Sequence, residues 1–449
     1  MLWHLIKKEY RSNLLSLKFI ISFALLVILM IISVSLHSRL YQEEVSDYNS
    51  RTMAHKMSLN FLPNYEMLGF AGIALDKKLY PLSIFAQGLD RGANKISRVG
   101  LMAFPRLNVG SGGNPLFYTT RTLDYLFIIK IIASLLAILF AYNAVSGEKE
   151  GRTLNLTLSN FLPRSTFLLG KYIGGFSSLL TPLVFAFASG LLITNLHPYI
   201  SFTGGEWMRI GMLFLFTLLY LGFFFALGML VSALTSRSVI TLFVLLFLWV
   251  LIVFAFPYFA SLAGRRLSPV SDIAEVEMAI DTANYQANER VERRIAEYLI
   301  REGKEPDIDW IYAAVQQGQR EANVQVRQIE EEYDRSLSHQ VALISKLSLI
   351  SPAASFSLAA TRLAKTDFGY QRGFILRAQM FQDEFIRFLA QVPDTQARIE
   401  PAKIPLFSYE GESLRESLSA TMPYLVVLLL SSGVIIFLSF VLFLRYDVR

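Results

Sequence analysis

DYLFIIKIIASLLAILFAYNAVSGEKEGRTLNLTLSNFLPRSTFLLGKYIGG, residues Asp124 to Gly175, decides how this chain folds. Its first part, 125–144, is apolar and long enough to cross a bilayer as a helix. A charged knot follows at Glu148, Lys149, Glu150, Gly151 and Arg152. Then comes an amphipathic run, 153–159, carrying Thr153, Leu154, Leu156 and Leu158. Arg164 and Lys171 lead back into an apolar stretch. This order predicts a helix that leaves the membrane, a short surface helix over 148–160, and an immediate return.

Working outward, the same length argument predicts six spans, over 19–36, 125–144, 172–193, 210–234, 239–256 and 423–444. Before the first, Leu2 to Leu15 puts Leu2, Trp3, Leu5, Ile6 and Tyr10 largely on one side. Lys7, Lys8, Glu9 and Arg11 lie on the other. That pattern predicts an interfacial helix, with Trp3 and Tyr10 at headgroup level. No small-x-small cleavage site follows 19–36, so a retained span is expected there and not a cleaved signal. Basic residues at the N-terminus, in 149–171, at Arg237 and at Arg445 and Arg449 fall on one side of a six-span layout. Both termini are therefore expected in the cytoplasm.

Two long segments then lie outside the membrane. Residues 37–123, punctuated by Gly and Pro, predict a small unit of mixed structure. Residues 258–421 predict a larger helical domain, with helices over 272–301 and 307–349 broken at Gly303 and Pro306 into an antiparallel hairpin. The expected fold class is all-α polytopic. The units are 1–36 (interfacial helix and first span), 37–123, 124–257 (spans two to five), 258–421, and 422–449 (sixth span and tail).

Composition narrows the chemistry. Of 449 residues, 53% are hydrophobic and only 17% charged, against roughly a quarter in soluble proteins. The net charge of +6 is small and forms no basic stripe, which argues against nucleic acid. Zero cysteines exclude disulfides and a thiolate nucleophile. The five histidines are scattered, so no metal site is expected. No GxxxxGK[ST] loop occurs, so the chain is not expected to cradle ATP phosphates itself. The middles of the six spans hold no Asp or Glu, which disfavours a proton- or sodium-coupled carrier. Lys130 is the one deep charge. Its stem can snorkel from the nearby span end, or its ammonium can contact an anionic substrate.

Gly147-Glu148-Lys149-Glu150, Thr153-Leu154, Leu158-Ser159, Pro163-Arg164 and Leu168-Leu169-Gly170-Lys171 resemble the segment between the second and third spans of type-two (ABC-2-like) permeases of ABC exporters. In that family this segment is the coupling helix that docks on the ATPase subunit. Ser351-Pro352, Leu363 to Asp367 and the terminal Tyr446-Asp447-Val448-Arg449 are similar to a bacterial branch with two large external insertions. The resemblance implies ABC ATPase partners that hold ATP and Mg. It further implies a second permease copy or paralogue, contact with membrane lipids, and ATP-driven export of a hydrophobic or amphipathic substrate. It assigns Glu148, Lys149, Glu150, Gly151, Arg152, Thr153, Leu154 and Leu158 to ATPase coupling. The competing expectation is an ATPase-driven assembly that relays force to a periplasmic protein partner without moving a small cargo.

Overall fold

The computed structural model describes residues 1–89, 95–101, 105, 123–154 and 163–445. Its helices are α1 (Leu2–Leu14), α2 (Leu17–Leu59), α3 (Tyr65–Ala71), α4 (Tyr125–Glu150), α5 (Arg164–Leu196), α6 (Gly204–Leu234), α7 (Ser238–Leu267), α8 (Ile273–Glu302), α9 (Ile308–Ser348), α10 (Pro352–Leu363), α11 (Phe368–Gln391) and α12 (Leu414–Leu444). Among the described residues, α2, α4, α5, α6, α7 and α12 are long and apolar enough to cross a membrane. The chain is an all-α polytopic membrane protein. Strands β1 (Ile73–Asp76) and β2 (Ile96–Val99) pair antiparallel, with Ile73 opposite Val99.

Helix starts follow local chemistry. Asp124 accepts from Phe127 N, Asp307 from Trp310 N and Ser351 from Ala354 N, each satisfying an orphan amide. Thr203 with Glu206 and Ser413 with Glu416 form complete capping boxes at α6 and α12. Gly303, at φ 67°, ends α8 in the left-handed region before the chain turns back into α9. The α8–α9 hairpin forms as the spacing predicts, around Val276, Ile280, Ala283 and Val326.

The knot, with Glu148, marks one end of the bundle; α3 and the α8–α9 hairpin lie toward the other, the far end. Two features of the far end depart from the sequence-based layout. First, α2 passes residue 37 without a break; its 43 residues extend for about 64 Å, twice the hydrocarbon thickness. Second, the two outer segments do not build separate cores. Tyr65, Leu68, Leu75 and Val99 from the first pack against Phe374, Ile375, Ala378, Phe381 and Phe385 of α11 in the second.

Helix α10 is a further departure, because the outer domain was expected to include it. Ten of its twelve residues are buried, and Phe356, Ala359, Ala360 and Leu363 belong to the same apolar core as the spans. It packs against α6, α12 and the π-helical turns Ile128–Ala133 of α4 and Leu251–Ala255 of α7. Phe356 stacks on Tyr220 with ring centroids 4.7 Å apart. Ser351 donates to Ile252 O in one π-turn (2.7 Å), and Tyr220 donates to Lys130 O in the other (2.9 Å). A π-turn shifts the backbone hydrogen-bond register and opens carbonyls to such donors. A twelve-residue helix is too short to span, so hydropathy gives it no membrane assignment.

Candidate functional site

The knot is a junction of four helices. After the turn at residues 142–145, Val145 N and Ser146 N both donate to Ser232 Oγ of α6, at 3.0 and 2.9 Å. This starts the last turn of α4, Ser146–Glu150. Each charge of the following Glu-Lys-Glu triplet then reaches a different helix.

Glu148 accepts from Lys171 Nζ of α5 at 2.8 Å, and Lys171 bonds Glu9 of α1 at the same distance. Lys171 is 7% exposed. One cation between two carboxylates in so dry a place repays its desolvation only while both partners stay. Lys149 donates from Nζ to Ala233 O and to Thr235 O (3.2 Å), taking orphan carbonyls at the end of α6. Glu150 accepts from Ser238 N at 3.1 Å, at the first turn of α7. A carboxylate at a helix N-terminus meets both the free amide and the positive end of the dipole.

Beyond these anchors the chain turns outward. Glu150, Gly151, Arg152 and Thr153 are exposed, and Arg152 sits at φ 55°, where a side chain is strained. Thr153 Oγ1 reaches back to the Glu148 carboxylate. Leu154 is 2% exposed and packs into the bundle. Leu158 and Leu156 lie outside the described residues, as do residues 106–122 and the terminal Tyr446 to Arg449.

The first helix packs along α5. Its Tyr10 hydroxyl shares a hydrogen bond with Thr181 Oγ1 of α5 (3.0 Å). Trp3 remains 71% exposed. Close approach depends on the small residues of α5: a Cβ at Gly174 would lie 2.8 Å from Glu9 Cβ and 2.9 Å from Ile6 O. Small residues let helix backbones approach where apolar burial alone offers no preference between helices and lipid.

Sequence reasoning missed Glu9, Lys171 and Ser232. Lys171 read as a basic flank of a span and as the end of the Leu-Leu-Gly-Lys motif, and Glu9 as the polar side of an interfacial helix. Charge in so apolar a chain was the available signal, but its pairing was not. Lys130 is 4% exposed and so does not snorkel to the protein surface. Its carbonyl lies in the π-turn and accepts from Tyr220 and Ser134.

The profile of the family described as "ABC-2 family transporter protein" matches residues 3–448, nearly the whole chain. No curated protein matches it. The chain belongs to the ABC-2 transporter family, whose members are permease subunits that partner an ABC ATPase.

Proposed function

We propose that this ABC-2 permease is half of an exporter for an amphipathic substrate, driven by an ATPase that seats on the crest Glu150 to Thr153. One observation carries the reading: the crest is exposed, while the residues beneath it are tied to α1, α5, α6 and α7. A push on such a crest displaces four helices together, because packed elements shift as bodies. The knot end then faces the cytoplasm of a bacterial inner membrane, with both termini on that side, and ATP and Mg belong to the partner.

The same layout supports pairing with a second copy or a paralogue. Helices α7 and α12 carry broad lateral apolar surfaces, including Phe243, Phe247, Phe437 and Leu430, all more than 60% exposed. Covered by lipid or by another permease, these faces complete a pathway that one six-span chain leaves open.

Force relay to an envelope partner is the second reading, favoured by α2. This helix is a single rod through the bundle into the outer unit, so tilting at its base moves the outer unit as well. Stimulation of ATP hydrolysis by a small amphiphile supports export, and stimulation only by a protein supports relay.

The founding experiment is purification of the chain from its native host in mild detergent, with identification of what accompanies it. An ATPase in stoichiometric amount, lost on Arg152→Glu but retained on the outer substitution Lys403→Gln, supports the crest as the docking surface. An ATPase-free wild-type preparation overturns it.

A further inference from the structure

At the far end of the bundle, α9, α10, the start of α11 and Tyr424 of α12 bound a cavity of about 230 Å³. An apolar cavity of about 150 Å³ already holds a benzene. The walls are mainly apolar, from Leu89, Val341, Ile344, Leu358 and Phe368. Ala342 and Gly369, also in the lining, are exposed, so the cavity opens to the surface. One wall lies at the level of the bilayer: Leu358 is on α10, buried among the spans, and Tyr424 stands where the apolar run of α12 begins. The opposite wall, α9, belongs to the outer unit. The cavity therefore straddles the edge of the hydrocarbon layer.

The charged groups of the lining are matched within the protein. Arg362 pairs with Glu412 at 2.5 Å and Arg372 with Asp334 at 3.0 Å. Asp367 caps α11, accepting from Gly369 N and Tyr370 N at the positive end of the helix dipole. Two carboxylates are thus held by cations and the third by a helix N-terminus. Such a lining has no surplus charge to offer an anion or a cation.

Most of the hydroxyls are spent as well. Ser357, Thr361 and Thr366 donate to the carbonyls of Ala353, Ser357 and Ala86. The hydroxyls of Ser345 and Tyr424 have no hydrogen-bond partner among the described residues. Two more lining side chains carry buried polar atoms without one, Ser338 Oγ and Arg362 Nε. All four groups can donate, and the arginine nitrogen can do nothing else. Native proteins leave few buried donors unmet. An apolar cavity bordered by four unspent donors suits an uncharged molecule that brings an acceptor.

We propose that this cavity takes an uncharged acyl chain from the adjoining leaflet and holds its ester carbonyl by hydrogen bonds from Tyr424 and Ser345. Apolar walls supply the burial, and the few polar groups fix the orientation. As the substrate class of the proposed exporter the inference rests on that reading; as a binding site it does not.

The test uses the full chain in nanodiscs of an ether-linked phosphatidylcholine, which brings no ester carbonyl of its own. The probe is a decanoylglycerol whose acyl chain ends in a diazirine, with adducts mapped by mass spectrometry after irradiation. Saturable labelling is expected in 338–345 and 357–369, the segments that line the cavity. Plain decanoylglycerol should displace the probe. Its ether analogue, decylglycerol, lacks the carbonyl and should compete about fivefold less well, the worth of one hydrogen bond. Tyr424→Phe should weaken labelling by a similar factor with an unchanged melting temperature. Ala342→Trp, at the open side, should block it. The proposal is overturned if labelling is unsaturable or falls only elsewhere, if the ether competes as well as the ester, or if either variant labels like wild type. Decanoate or decylamine displacing the probe better than decanoylglycerol would overturn it too. No ATPase is present in this assay. A chain labelled at the cavity that recruits no ATPase would sink the exporter and leave the site standing, and an unlabelled chain that recruits one would do the reverse.

Discussion

Lys171 Nζ stands 2.8 Å from a carboxylate oxygen of Glu9 and 2.8 Å from one of Glu148. One buried cation thus joins the first helix, the third span and the knot. Lys171→Met leaves two carboxylates facing each other without their counter-ion. Removing one partner of a buried ion pair costs about 3–5 kcal/mol. We expect a lower melting temperature for the purified variant and partial recovery in Lys171→Arg. A variant melting with wild type would mean that the triad contributes nothing to stability.

Arg152 holds a left-handed backbone on the exposed crest. Arg152→Gly should relieve roughly 1 kcal/mol of strain and raise the melting temperature slightly. The same variant should weaken ATPase recruitment if the guanidinium makes the docking contact. Stability gained with recruitment intact would assign docking to the neighbouring crest residues.

The shared outer core makes distant segments interdependent. Phe381 is fully buried between α11 and the first outer segment, and Phe381→Ala should cost about 3–5 kcal/mol. Hydrogen exchange is the measurement, with loss of protection expected in both 65–76 and 374–385. Loss confined to α11 would show two independent units.

Lys365 gives a pH signature. Burial, then the like charges of Arg209 and Lys78, lower its pKa to about 8, against the opposing pull of Glu206 and Glu410; Tyr80, stacked beneath it, stays protonated up to about 12. Between pH 8 and the unfolded value near 10.5, the unfolded chain holds the extra proton, so this residue's contribution to stability rises with pH. It is fully present above that window and lost as pH falls through 8. Subtracting the Lys365→Asn stability curve from that of wild type should leave this slope, and a flat difference would refute the lowered pKa.

Much of the architecture was legible in residues close along the chain. The six spans follow from windows of apolar side chains, whose transfer into hydrocarbon is a sum of local terms. The α8–α9 hairpin follows from spacing and from Gly303; the α6 and α12 starts, expected at 210 and 423, lie earlier, at Gly204 and Leu414, where the capping boxes set them. The knot was legible as charge in an apolar chain, and its order carried the family resemblance.

The partners of those charges were decided only by tertiary structure. Glu148, Lys149 and Glu150 are adjacent in sequence yet bond α5, α6 and α7, because successive residues of a helical turn point in different directions. Helix α10 was hidden because hydropathy measures transfer into lipid, whereas this short helix is buried by protein on all sides. The outer core, too, needed both insertions in place: Leu68 and Phe381 each show only an apolar side chain, and which surface covers it depends on the packing of the whole chain.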